Sequence, residues 1–195
     1  MLLDRRELLV KERIAVLKLT DTYDLFDLAS GQPIGLARDE PPGWAKYLRL
    51  LINKKLLPTT INIYESESAP PALSLFKGPS FLRCTVRVER GGRVLGSFRS
   101  KLFSLGGGFW VQDAQGQPLA EVKGDWKGWN FRFLSADGSE LGVVTKKWAG
   151  LGRELFTSAD NYVVSLVAGT AQGSDSAALL LAAGLAIDIV FKERK

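Results

Sequence analysis

The chain of 195 residues carries a formal net charge of +5 and a pI near 9.4, and 46% of its residues are hydrophobic. These values predict a single globular domain over residues 1–195, large enough to bury about 70% of the surface of its unfolded chain. The absence of histidine excludes Ser-His and Cys-His catalysis, and the single cysteine, Cys84, excludes an internal disulfide and favours an intracellular compartment.

The first twenty residues allow two interpretations. Apolar and polar residues alternate from Arg13 onward, which predicts a strand with Ile14, Val16 and Lys18 on one side. A short helix over the first ten residues is the competing interpretation.

A pattern of two apolar runs around a glycine recurs four times along the chain. In each copy a strand-like run leads through a polar residue and a glycine to a Leu/Ile-Gly pair or its equivalent, and then to a second run. The copies span residues 23–37, 85–98, 109–122 and 130–144. Each copy predicts a β-hairpin whose glycine supplies a positive φ in the turn.

These hairpins and their flanking strands predict about ten to twelve strands. An open sheet of that length would expose two edges, and closure into a barrel removes them. A barrel of this size has an interior too wide for side chains alone to fill. We therefore predict a mainly β fold, a closed antiparallel barrel of about 12 strands that needs a central plug.

The candidate plug is the apolar block near the C-terminus, predicted as a central helix over residues 175–191. Ser174 or Asp175 can cap its start, and the basic residues after Phe191 suit its end. A helix that is apolar all round is buried in protein or in lipid. Its eleven uninterrupted apolar residues fall short of the ~20 of a membrane span, which favours burial, and a short tail anchor is the alternative.

Residues 39–80 interrupt the hairpin series and are predicted to be an insertion, in which Pro42 and Pro58 bracket a helix of about four turns. Its apolar residues share one face opposite its polar and basic residues: Tyr47, Leu48, Leu51 and Ile52 against Lys46, Arg49 and Asn53. We interpret it as a membrane-surface element with six candidate lipid contacts: Trp44, Lys46, Tyr47, Arg49, Lys54 and Lys55. The alternative is a helix that packs on the barrel with its charges in solvent.

The last third of the chain carries a family resemblance. It rests on Lys147-Trp148-Ala149-Gly150, Arg153-Glu154, Phe156-Thr157, Ala159-Asp160-Asn161-Tyr162, the preceding hairpin at 137–142, and Ile187-Asp188 with Phe191. These residues resemble the phospholipid scramblase family and the related LURP-one-related proteins of tubby-like fold, and residues 23–35 resemble the family's first hairpin. The resemblance implies a twelve-stranded barrel around a buried C-terminal helix, and association with membrane phospholipid.

The resemblance also implies calcium as a cofactor, because scramblases carry a calcium-loop-like segment at the position of residues 158–169. Asp160, Asn161 and Ser165 supply side-chain oxygens there, and Asp160 is the one carboxylate of this segment. One carboxylate is too few for tight calcium binding, so we expect no metal and no other cofactor.

Two functions are therefore weighed. The first is a scramblase-like protein that binds anionic phospholipid membrane surfaces and takes part in transbilayer lipid movement; it would be cytoplasmic or peripherally membrane-associated. The second is a soluble tubby-like module that binds a protein or a small molecule. We expect no enzyme, because catalytic and metal-ligand clusters are lacking. We expect no nucleic-acid partner, because the basic residues are scattered rather than gathered in one stripe.

Overall fold

The computed structural model describes residues 2–13, 20–53, 56–79, 84–101, 108–125, 129–146, 161–169 and 173–191. Within them twelve strands follow in order: β1 (Glu7–Glu12), β2 (Thr22–Asp27), β3 (Pro33–Asp39), β4 (Thr59–Tyr64), β5 (Leu73–Lys77), β6 (Thr85–Arg90), β7 (Arg93–Ser100), β8 (Gly108–Asp113), β9 (Pro118–Asp125), β10 (Asn130–Leu134), β11 (Glu140–Thr145) and β12 (Tyr162–Leu166). A 3-10 helix, Leu2–Asp4, precedes β1; α1 (Gly43–Leu48) lies between β3 and β4, and α2 (Asp175–Phe191) follows β12.

The strands form one closed antiparallel barrel. Each strand pairs with its neighbours in the sequence, and β1 closes the barrel by pairing with β12. The predicted mainly β barrel of about 12 strands is therefore confirmed.

The four repeated hairpins are confirmed as β2–β3, β6–β7, β8–β9 and β10–β11. In each, the register shifts at the same place and leaves one residue of the second strand without a partner opposite: Ile34, Leu95, Leu119 and Leu141. Such a bulge bends and twists the strand, as closure requires. The next residue must be small, because a Cβ at Gly96 would stand 2.1 Å from the backbone oxygen of Gln112.

The barrel interior is filled by α2. The hydroxyl oxygen of Ser174 accepts a hydrogen bond of 3.1 Å from the backbone N–H of Ala177 and so caps the helix start, as predicted. Residues 177–187 are all buried, and α2 contacts β5, β6, β7, β8 and β12. The buried plug is thus confirmed over the alternative of a tail anchor. Among the described residues no helix combines the length and the apolar character needed to cross a membrane.

The alternating strand directions give the barrel two different ends. The hairpin end carries the turns at 28–32, 65–72, 91–92, 114–117 and 135–139, and α2 begins there. The insertion end carries the connection 40–58, which contains α1. Buried polar residues mark this second end, each at or next to a strand terminus: Glu12, Asp39, Thr59, Lys77, Ser100, Thr145 and Asn161.

The first strand begins earlier than predicted. The strand covers Glu7–Glu12 rather than starting at Arg13, and Ile14, Val16 and Lys18 lie outside the described residues. The competing helix over the first ten residues is limited to the 3-10 helix Leu2–Asp4. The pairing of β1 with both β2 and β12 overrides the ambiguous local pattern.

The predicted insertion at 39–80 is too wide. Residues 59–64 and 73–77 form β4 and β5, each with alternating buried and half-buried residues, so the connection that interrupts the hairpin series narrows to residues 40–58. The predicted helix of about four turns is also too long, because α1 ends at Leu48. After Leu48 the chain makes a last turn, in which the Leu48 carbonyl accepts from the N–H of Leu51 at 3.0 Å and from that of Ile52 at 2.8 Å.

Candidate functional site

Large exposed hydrophobic side chains concentrate in the connection between β3 and β4. Of the eight found among the described residues, five lie within nine residues: Trp44 (59% exposed), Tyr47 (70%), Leu50 (69%), Leu51 (84%) and Ile52 (40%). The other three are dispersed over the barrel, at Val94, Trp110 and Val167. We call residues 43–53 the apolar loop. Such a concentration of exposed large apolar side chains within one short segment is typical of an interaction site.

A buried ion pair ties the middle of the apolar loop to the barrel. The Arg49 guanidinium donates to both carboxylate oxygens of Asp39, at 3.1 Å from Nη2 to Oδ1 and by a shorter contact from Nη1, and to Thr59 Oγ1 at 2.6 Å. The Thr59 hydroxyl in turn donates to Asp39. The Arg49 side chain is only 2% exposed, and that of Asp39 only 7%. Since Asp39 ends β3 and Thr59 begins β4, Arg49 reaches back to the base of its own connection.

A second group of contacts fixes the first residue after β3. The backbone N–H of Glu40 donates to the Thr60 carbonyl at 2.7 Å. The Glu40 carboxylate accepts hydrogen bonds from Asn62 Nδ2 at 2.6 Å and from the Tyr64 hydroxyl at 3.0 Å. Burial raises the pKa of the Tyr64 hydroxyl, and the bond that this hydroxyl donates to Glu40 raises it further. The base of the connection is therefore held by β4 on its outer side as well.

The rest of the loop packs through few residues. Ala45 of α1 and Leu57 near the return to β4 are buried. Pro42 precedes α1 without a side-chain cap, and its carbonyl accepts from the backbone N–H of Lys46 at 3.1 Å. The apolar loop is thus anchored by its base, by Ala45 and by Arg49, while its large apolar side chains face solvent.

The predicted lipid contacts fall into three groups. Trp44, Lys46 and Tyr47 are exposed on α1, where a membrane or a partner could reach them. Arg49 is buried against Asp39 and is not at the surface. Lys54 and Lys55 lie outside the described residues.

Sequence reasoning missed Leu50 as part of the exposed surface. A continuous helix would have turned Leu50 away from the face formed by Leu51 and Ile52. The helix ends two residues earlier, so three consecutive apolar side chains face solvent. The signal in the sequence was the uninterrupted apolar run Leu50-Leu51-Ile52.

The segment that the family resemblance places at the position of a calcium loop does not fit a calcium site where it is described. Residues 162–166 form β12, an extended strand between β1 and β11. The Ser165 hydroxyl donates to the Glu7 carboxylate at 3.2 Å, and Val164 lies in the core. Asp160 lies outside the described residues. In the described part of the chain, no three side chains of the metal-binding types come together as a candidate metal site.

A groove of about 760 Å³ runs along the outer wall from the base of the connection across β4–β8. Its lining includes Pro42, Pro58, Phe76 and Arg87. The Arg87 guanidinium lies 5.2 Å from the centre of the Phe76 ring and 2.7 Å from the Glu89 carboxylate. Because this cation is already engaged by a carboxylate, the groove is a weaker candidate for an anionic ligand than the apolar loop is for an apolar one.

Comparison with known proteins identifies the family to which this chain belongs. No curated protein and no solved structure matches the chain. The family model described as Scramblase matches residues 90–194, more than half of the chain, from the end of β6 through α2. On this match, the chain belongs to the Scramblase family.

Proposed function

We propose that this protein binds the surface of anionic phospholipid membranes through the apolar loop, as a scramblase-like lipid-binding protein. The observation that carries the proposal is the set of five large hydrophobic side chains that face solvent on one anchored connection. Membership of the Scramblase family supports phospholipid as the partner. Transbilayer movement of lipid is the further step that such binding would serve.

The apolar side chains supply a driving force of useful size. Complete burial of a leucine side chain contributes about 1.5–3 kcal/mol, so Leu50 and Leu51 together would contribute roughly 3–6 kcal/mol on entering the acyl region. Trp44 and Tyr47 are aromatic residues of the kind that settle at headgroup level. The loop projects from a rigid barrel, so little order has to be gained on binding.

Charge favours contact with the insertion end of the barrel. Lys46 is exposed beside Trp44 and Tyr47, and each lysine near an anionic surface contributes about 1 kcal/mol. Arg13, Lys101 and Lys146 each directly follow a strand at the same end. Arg13 is paired with Asp24 and Lys101 with Glu121, so these two contribute less than the exposed Lys46.

The five turns of the hairpin end together contain three acidic residues, Glu65, Glu67 and Asp137, and no lysine or arginine. Of the arginines beside these turns, Arg5 pairs with Asp27 and Arg93 with Asp175. An anionic membrane would therefore attract the insertion end more strongly than the hairpin end.

The test is flotation of the purified protein with neutral and with anionic liposomes, at low and at high salt. One variant, Leu50→Ser/Leu51→Ser, removes apolar contact, and a second, Lys46→Gln/Lys54→Gln/Lys55→Gln, removes charge. The matched control is Val167→Ser, which removes an exposed hydrophobic side chain at the hairpin end. These positions are exposed or carry charge, so the fold should persist, which circular dichroism can verify.

We expect the wild type and Val167→Ser to float with anionic liposomes, and more weakly at high salt because salt screens exposed charges. The leucine variant should lose most binding under all conditions, and the lysine variant should lose its preference for anionic lipid. An assay of fluorescent lipid exchange between leaflets would then test lipid movement. A wild type that floats with none of the liposomes would refute the proposal and favour a protein or small-molecule partner.

A further inference from the structure

We infer that Arg49 is a positioning residue that presents the apolar loop to the membrane and does not itself contact lipid. This inference rests on the proposed function, because it names what holds the same site in shape. It differs from the sequence-based interpretation, in which Arg49 is one of the basic lipid contacts.

Arg49 connects the middle of the connection to both of its ends, and we call its contacts with Asp39 and Thr59 the clamp. Arg49 lies ten residues after Asp39 and ten before Thr59, the two residues at which the connection leaves and rejoins the barrel. By bonding to both, Arg49 pulls the midpoint of the connection onto its base. The chain on either side is thereby folded into two short arms, one with Trp44 and Tyr47 and one with Leu50 to Ile52.

The clamp decides where the apolar side chains point. Arg49 takes a helical backbone conformation, φ −60° and ψ −17°, but its side chain turns inward to the barrel rim. The neighbouring Leu50 and Leu51 must then project outward, and they are 69% and 84% exposed. Without the contacts of Arg49, the apolar side chains of this connection would be free to pack against one another or onto the barrel. Membrane binding would then have to supply the free energy of ordering the loop.

The contacts of Arg49 require the geometry of arginine rather than its charge alone. A guanidinium carries donors in a planar fork, and here the fork spans two carboxylate oxygens and a hydroxyl oxygen. A lysine at this position would keep the charge but would present a single nitrogen to the three oxygens. If Arg49 contacted lipid phosphate instead, lysine would serve nearly as well, because lysine also binds phosphate as a point charge.

The test uses three variants that conserve the net charge of the protein: Arg49→Lys, Thr59→Val, and the pair Asp39→Asn/Arg49→Gln. Each is compared with the wild type and with Lys46→Gln in flotation with anionic liposomes over a range of salt concentrations. Circular dichroism and thermal unfolding establish that each variant is folded. Thr59→Val is the mildest change, because it leaves the Arg49–Asp39 ion pair in place, and it keeps the test valid if the paired variant fails to fold.

We expect each clamp variant to lower the liposome partition coefficient about fivefold or more, with the salt dependence of the wild type retained. Lys46→Gln should weaken both the binding and its salt dependence, because it removes a charge at the surface. Hydrogen exchange without lipid should be faster across residues 40–58 in the clamp variants and unchanged in Lys46→Gln.

Two results would count against the inference in distinguishable ways. If the wild type binds and the folded clamp variants bind equally well, Arg49 does not position the loop, while the proposed function stands. A different outcome is that Arg49→Lys retains full binding while the paired variant Asp39→Asn/Arg49→Gln loses both its binding and its salt dependence. Arg49 is then a charge contact, and the inference is wrong. A wild type that does not bind refutes the proposed function and this inference with it.

Discussion

Gly184 of α2 lies so close to Val164 of β12 that a Cβ on the glycine would stand 2.4 Å from Val164 Cγ2. Contact of this kind shows how closely the central helix fills the barrel. The neighbouring alanines, Ala182, Ala183 and Ala186, are fully buried. A helix of small residues is needed where the wall approaches it, because an interior packed at crystal-like density has no room for further methyl groups.

Substitution of Gly184 by alanine should therefore destabilise the protein even though alanine is the better helix former. Helix propensity would add about 1 kcal/mol, whereas overpacking against the stiff Val164 side chain costs about 1–3 kcal/mol. We expect a net loss of about 1 kcal/mol in the free energy of unfolding, measured with urea. In a Val164→Ala background the sign should reverse, because the space is then free. A stabilising Gly184→Ala in both backgrounds would show that the helix is held more loosely than the structure indicates.

The start of α2 should depend on Ser174. Its hydroxyl oxygen accepts the hydrogen bond from the Ala177 N–H, one of the donors that a helix start leaves without a partner. Ser174→Ala should lower the free energy of unfolding by about 1 kcal/mol, and Ser174→Asp should retain most of it, because aspartate also caps and suits the helix dipole. Ser176→Ala, two residues further on, is the matched control and should be nearly neutral in the same urea titration. Equal losses in the two alanine variants would contradict the capping role.

The fold was predictable because its signals are local and repeated. The Leu/Ile-Gly pairs recur because every repeated hairpin carries its bulge at the same place, before residues such as Gly35, Gly96 and Gly142. The apolar block of α2 could be recognised as a buried helix because it is too short to span a membrane and has no polar face. The strand at Glu7–Glu12 was not assigned from the sequence, because the run Leu8-Leu9-Val10 suits either a strand or a helix. Its pairing with β12, more than 150 residues away in sequence, decides the matter.

The candidate site was predictable in location but not in detail. Trp44 and Tyr47 stood out as aromatic residues beside basic ones, and both are exposed. The burial of Arg49 could not be read from the sequence, because a basic residue on an amphipathic helix has the same pattern whether it is solvated or paired. Its partners Asp39 and Thr59 come together only through the pairing of β3 with β4.

The turn between β10 and β11 should contribute to the acid sensitivity of the protein. The hydroxyl of Ser135 and the backbone N–H of Ser139, at 3.0 Å, donate to Asp137 and lower the pKa of its carboxyl from 3.8 to about 2. A carboxyl with a lowered pKa stabilises the folded state above pH 3.8, and this stabilisation is lost as the pH falls from there through about 2. Ser135→Ala should raise the pKa of Asp137 towards 3.8, as followed by NMR titration of the carboxyl carbon.

The same turn offers a second readout in stability. In Asp137→Asn the difference in urea midpoint between about pH 5 and about pH 2 should be smaller than in the wild type, because the titrating group is gone. Asparagine can still accept the turn hydrogen bonds, so the stability near neutral pH should change little. An unaltered acid dependence in this variant would mean that Asp137 is not held by Ser135 in solution.

The orientation of the barrel on a membrane can be tested with a polarity-sensitive fluorophore on single cysteines. Cys84→Ser provides the background, because serine is close to cysteine in size and the half-buried residue keeps the bond from its backbone N–H to the Ser100 hydroxyl. Leu51→Cys places the fluorophore at the most exposed apolar position of the insertion end, and Val167→Cys places it at the hairpin end. Both positions are exposed, so labelling should leave the barrel folded.

On addition of anionic liposomes we expect a blue shift of emission from the fluorophore at residue 51 and none from that at residue 167. The reason is geometric: the two positions lie at opposite ends of a barrel whose described strands are five to eight residues long, roughly 17–27 Å. A membrane that receives the apolar loop leaves the hairpin end in water. High salt should reverse the shift in part, because the attraction of Lys46 is screened. A shift at residue 167 alone would place the hairpin end on the membrane, and the apolar loop would then have to serve a different partner.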